Sequence, residues 1–104
     1  QHIYNVVMDS ISFSWDHQKN TANQKKHRVS FEEAQSVFFD ENAIEYFDPD
    51  HSDSEERFLM LGHSYRLQVL VVSHTLRKGG TEIRIISARK ATKKEKRAYL
   101  GEKL

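Results

Sequence analysis

The chain reads as one α+β domain: an antiparallel sheet of four to five strands, two N-terminal helices packed on it, and a C-terminal helix. Three observations predict this. Apolar and polar residues alternate in Ile11-Ser12-Phe13-Ser14-Trp15 and again in Ile83-Arg84-Ile85, the period of a half-buried strand. Phe31, Ala34, Val37 and Phe38 recur instead at helical spacing, as in an amphipathic core helix. A length of 104 residues leaves room for a single core, so residues 1–104 are taken as one domain.

Each element has its own signal. Ile11 to Trp15 forms the first strand, and Asp16 is placed to cap a helix over 17–27. Apolar packing does not explain that helix, whose middle holds only Ala22 as an apolar residue. Lys19, Asn23 and His27 share one of its faces, with Lys26 beside them. Ser30 and Glu33 predict a capping box for the second helix, which Asp40-Glu41-Asn42 closes. Ala43 to Phe47 reads as a short strand, and Asp48 to Ser54 as an acidic, turn-rich loop. Strands over Arg57–Leu61, Leu67–His74 and Glu82–Ala88 follow, joined by short connections that favour an antiparallel meander. Gly79-Gly80 lies in the second of these connections. Thr92 and Glu95 predict a capping box that opens the last helix.

A formal charge of +1 conceals strong segregation. Residues 1–28 carry +2, residues 29–56 carry ten carboxylates with no Lys or Arg, and residues 57–104 carry +9. Such blocks imply a dipolar surface. Lys93 and Lys94 place cations where the helix macrodipole is already positive, which suggests an anionic partner nearby. Arginine is costly to bury unpaired, and its planar fork matches phosphate geometry. Arg84 in the middle and Arg89 near the end of the last strand therefore indicate a phosphate-seeking surface. The competing role for both is an ion pair with the acidic segment, for example Arg89 with Glu56.

Some functions are disfavoured. The chain has no cysteine, hence no disulfide, thiolate nucleophile or cysteine-ligated zinc. His17, His27, His51, His63 and His74 show no ligand pair at helical spacing, and no phosphate-binding glycine loop is present, so neither metal nor cofactor is expected. No apolar run is long enough to span a membrane, and a cytoplasmic protein is the default expectation. Residues 1–7 precede Met8, a candidate native start, and read as a separable upstream extension.

Several separated motifs, in order, resemble the BrnT family of bacterial toxins. They are Phe13-Ser14-Trp15-Asp16; Lys19, Asn23 and Lys26-His27; Val29 to Ala34 with Val37-Phe38; Glu56-Arg57; Gly62; Val71-Val72; His74-Thr75; Arg77; and Ile83 to Thr92 with Glu95 and Tyr99. One departure is Arg28, where the family commonly has glycine, so the usual left-handed glycine cap is expected to be missing at that helix end. The resemblance implies a RelE-like fold and a ribonuclease that blocks translation. It also implies a BrnA-type antitoxin that neutralises the toxin, and repression of their own promoter through the antitoxin's DNA-binding segment. RNA is then the substrate; DNA is touched only through the complex, and membranes not at all.

Metal-free RNA cleavage needs a base for the 2′-hydroxyl, an acid for the 5′-oxygen, and cations for the charge on the phosphorane. Arg84, Arg89 and Arg57 are the candidate cations. His74 and His27 are the candidate acid and base, because imidazole titrates near neutrality. Lys26, Arg77, Lys90, Lys93 and Tyr99 are candidate RNA contacts, Tyr99 by stacking a base. Several have a structural alternative: a hydrogen-bonded core histidine for His74, a helix-end dipole partner for His27, a strand-end ion pair for Arg57, a surface lysine for Lys26, a solvated hairpin tip for Arg77, and sheet packing for Tyr99. Arg84 and Arg89 are five residues apart and face opposite sides of an ideal strand, so they converge only if the chain bends after Ser87. A non-catalytic nucleic-acid-binding or partner-binding module remains the alternative reading.

Overall fold

The computed structural model describes residues 11–101, so the upstream extension lies outside the described residues. In chain order the elements are β1 (Ser12–Ser14), α1 (His17–His27), α2 (Phe31–Ser36), β2 (Ile44–Phe47), β3 (Phe58–His63), β4 (Val69–Arg77), β5 (Glu82–Lys90) and α3 (Lys93–Tyr99). A 3-10 turn over Val37–Phe39 continues α2.

The sheet order is β1-β5-β4-β3-β2. β2 to β5 form the expected antiparallel meander. β1 departs from expectation: it pairs parallel with β5, Phe13 opposite Ile83, which makes the sheet mixed. Its partner strand lies far downstream, so no turn signal between the two could reveal the direction of pairing.

α1 explains why a helix with so few apolar residues forms. Its buried residues are Asn20 and Asn23, while Ala22 is exposed. Asn20 Oδ1 accepts the N–H of Phe31 at 2.9 Å, and its Nδ2 donates to Glu32. Asn23 binds the backbone of Ala88 and Val29. Polar anchoring thus replaces the apolar stripe that the pattern lacked.

Arg28 takes the place of the missing glycine. It adopts the left-handed conformation itself (φ 61°, ψ 29°) and donates its N–H to Gln24 O, so the cap is made without glycine. At Ser30 the box is only half formed: Ser30 Oγ accepts the Glu33 N–H, but the Glu33 carboxylate turns into the fold, where Ser64 and Gln68 donate to it. Thr92 and Glu95 form the full reciprocal box.

The core lies between the α1–α2 layer and one sheet face, and comprises Val29, Phe31, Ala34, Val37, Leu70, Val72, Ile85 and Ala88. Gly62 on β3 permits close approach of the Val37–Asp40 segment, since a Cβ there would sit 3.0 Å from Ala43, Asp40 and Val37 atoms. α3 meets the same strand through His63 and Tyr99.

Candidate nucleic-acid interface

A β-bulge decides where the arginines point. Ser73 pairs with Ser87 and His74 with Ile85, so Ile86 is an extra residue on β5 without a partner on β4. Ile85 and Ala88 therefore both face the core, although an uninterrupted strand would send them to opposite sides. The same shift brings Arg84 and Arg89 to the other face, opposite Thr75 and Val71 of β4, with Ser87 between them opposite Ser73. The irregularity that puts both arginines on one face is thus a bulge at Ile86, before Ser87, rather than a bend after it.

α1 lies along the edge of β5 that β1 leaves uncovered. Lys19, Lys26 and His27 of α1 face Ile86 and Ser87 of β5 across an open groove, with Ala22 and Asn23 between. Arg84 is half-buried and takes part in no ion pair among the described residues. Its positive charge still reaches the N-cap of α1: Asp16 is held below the usual carboxylate range by the backbone N–H groups of Lys19 and Gln18, aided by the charges of Lys19 and Arg84.

Arg89 is engaged. Its Nη1 and Nη2 donate to Glu95 Oε1 and Oε2 at 2.8 and 3.0 Å, a bidentate pair with both side chains partly exposed. Glu95 Oε1 also accepts the N–H of Thr92. The Arg89 hydrogen bonds and charge, with the Thr92 bonds, outweigh partial burial and hold the Glu95 carboxyl at about 2. The partner is thus the helix-capping glutamate six residues on, not Glu56.

Other sequence candidates lie elsewhere. His74 is fully buried on the helix-covered face, its Nδ1 facing Val72 O at 3.1 Å and its Nε2 facing Glu45 Oε2 at 3.0 Å. The Phe38 ring meets it edge-on at 4.8 Å, and the sheet separates it from the arginine face. It does not act as acid or base: both ring nitrogens are engaged, and the Phe38 ring packs against it on the side of the sheet away from the arginines. Arg77 binds Glu55 through Nε and Nη2 at 3.2 and 3.4 Å. Tyr99 donates its hydroxyl to Asp40 Oδ2 at 2.6 Å and lies 2.9 Å from His63 Nδ1, so it ties α3 to the sheet rather than presenting a free stacking ring. Lys90 borders a separate depression with Leu67, Gln68, Val69 and Lys96, and Lys93 is exposed at the start of α3. Arg57, half-buried just before β3, falls on the arginine face by strand alternation, since Phe58 faces the core side with its partner His74.

Asp40, His63 and Tyr99 form a second polar cluster, on the α3 side of β3. Burial pushes the Asp40 carboxyl up, but donation from Tyr99, the backbone of His63 and Asn42, and the His63 ring brings it down to about 2. Burial and the Asp40 charge push Tyr99 up to about 12. No sequence spacing links these residues; only packing brings them together.

The fold and this face define a small α+β domain with a basic groove between one helix and a bulged strand. A family model described as the ribonuclease toxin BrnT of type II toxin–antitoxin systems matches residues 15–95, and the chain belongs to that family. The 1.1 Å crystal structure of the Brucella abortus ribonuclease toxin BrnT is similar in fold, with a TM-score of 0.58 at 21% identity, covering 80% of this chain and 99% of that one. Comparison with curated proteins finds no match.

Proposed function

We propose that this toxin is a metal-independent endoribonuclease of RelE-like fold that blocks translation by cutting RNA in the cytoplasm. The observation that carries the reading is the bulge at Ile86, which sets Arg84, Ser87 and Arg89 on one face beside the groove of Lys19, Lys26 and His27. The RNA 2′-hydroxyl is the nucleophile. His27 takes its proton as the oxygen attacks phosphorus; the P–O5′ bond breaks and the leaving 5′-oxygen takes a proton from solvent water, giving a 2′,3′-cyclic phosphate and a 5′-hydroxyl. Arg84 stabilises the phosphorane charge, Arg57 lies on the same face, and Lys19 and Lys26 hold flanking phosphates. Arg89 joins when an RNA phosphate displaces Glu95, while Lys90 and Lys93 extend the basic track. His74, Arg77 and Tyr99 are left out of this set, being engaged as described.

Membership of a toxin–antitoxin family supports a protein partner. A BrnA-type antitoxin that lays an acidic segment over the basic groove accounts for neutralisation, and the complex then represses its own promoter through the antitoxin's DNA-binding segment. The test is incubation of the pure protein with single-stranded RNA in EDTA. Cyclic-phosphate ends are expected, with activity lowered about 100-fold or more in Arg84→Ala and in His27→Ala. Intact RNA, both free and ribosome-bound, would favour a non-catalytic binding module instead.

A further inference from the structure

We infer that Thr75 is a binding residue for RNA: when the side chains that cover it on the arginine face part around the backbone, its hydroxyl, flanked by Arg57 and Arg84, seats one non-bridging phosphodiester oxygen. Thr75 is fully excluded from solvent, and its Oγ1 has no hydrogen-bond partner among the described residues. Buried polar atoms in folded proteins nearly always have a partner, because leaving one unpaired opposes folding. An unpaired threonine hydroxyl in the middle of a sheet therefore needs an explanation. Valine has the same shape and carries no such cost.

Its position supplies one. Thr75 lies directly opposite Arg84 on the arginine face, and cross-strand neighbours of this kind have Cβ atoms roughly 5 Å apart. On the other side, the pairing of Phe58 with His74 places Arg57 next to Thr75 in the register. Neither arginine takes part in an ion pair among the described residues. One row of the sheet thus holds two unneutralised guanidinium groups around one unsatisfied hydroxyl. Such a set repels cations and matches a singly charged anion whose oxygens only accept. A backbone phosphodiester has that charge and can take donors from both forks and the hydroxyl together. The next row, Ser73 opposite Ser87, adds two more hydroxyls toward Arg89 and gives the following phosphate a path to the groove at Lys26.

This inference rests on the ribonuclease reading, but the two can fail separately. The probe is a fluorescein-labelled ten-nucleotide single-stranded DNA, which lacks the 2′-hydroxyl and cannot be cut. Thr75→Val is expected to bind it 5- to 20-fold more weakly by anisotropy while melting at a higher temperature than the parent. Thr75→Ser, which keeps the hydroxyl, is expected to bind within about twofold of the parent. Parent-like affinity in Thr75→Val, or equal losses in both variants, would overturn the proposal. If Thr75→Val does not fold, the parent protein decides by NMR: the Thr75 methyl must shift on titration with the same DNA, and a methyl that stays still while Arg84 shifts overturns it. Thr75-dependent binding by a protein that never cuts RNA would remove the nuclease reading and leave this site standing.

Discussion

The side-chain amide of Asn23 hydrogen-bonds both backbone groups of Ala88: Nδ2 donates to the carbonyl at 2.8 Å, and Oδ1 accepts the N–H at 3.1 Å. A primary amide carries the same donor and acceptor as a peptide, so Asn23 continues the β5 edge where β1 stops at Ser14. Nδ2 also donates to Val29 O, which ties the α1–α2 turn to the same point. Asn23→Asp would set a carboxylate oxygen against two carbonyls. The expected loss is about 3 kcal/mol or more, read as a fall in Tm of roughly 10–20 °C. A parent-like melt would show that the edge does not depend on this amide.

Asp40 makes stability depend on acid. Its folded-state pKa, about 2, lies below the ordinary 3.8, so its contribution is complete above the ordinary value and is lost as pH falls through the folded one. Stability should decline by on the order of 2 kcal/mol between about pH 4 and 2. Glu95 adds a smaller loss in the same window because its pair is partly exposed. Denaturant melts across this range should be flatter in Asp40→Asn. Tyr99→Phe should cost about 1.5–3 kcal/mol at neutral pH, and an unchanged melt would count against the tether.

Glu95 sets two demands against each other. It caps α3 through Thr92 and also occupies the Arg89 fork. Glu95→Ala should therefore lower stability by about 1 kcal/mol while freeing a guanidinium for phosphate. Affinity for single-stranded RNA should rise by about 2- to 10-fold at low salt, with the gain fading as salt increases. If affinity falls instead, Arg89 serves only to anchor the helix.

Arg28 holds a left-handed backbone that costs a residue with a Cβ about 1–2 kcal/mol. Arg28→Gly removes that strain but loses roughly 0.4–1 kcal/mol through the freer unfolded chain. A net gain of about 0.5–1 kcal/mol is expected, seen as a Tm a few degrees higher. A lower Tm would mean that the arginine side chain makes a stabilising contact of its own.

Local signals were legible and proved sound where the physics is local. The Asp16 and Thr92 caps, the helix over 17–27, the continuous apolar run in β4 and the glycine pair between β4 and β5 each depend on neighbours a few residues away. Strand ends moved by one to three residues: β4 continues to Arg77 and β5 to Lys90, because each is paired along its full length by the other. The basic face of α1 was also readable, since 3.6-residue periodicity places Lys19, Lys26 and His27 together wherever the helix packs. Its companion Asn23 looked like part of that chemistry and is instead a backbone surrogate.

The amino-acid order by itself determined the class of fold, the run of elements and the pool of cationic side chains, because periodicity, capping and charge are properties of short stretches. Tertiary packing alone decided that β1 lies parallel to β5, that an unpaired Ile86 brings Arg84 and Arg89 to one face, that His74 is sealed in the core, and that Asp40, His63 and Tyr99 meet. These are contacts between residues distant along the chain. Their geometry follows from how whole layers stack, so no local pattern carries it.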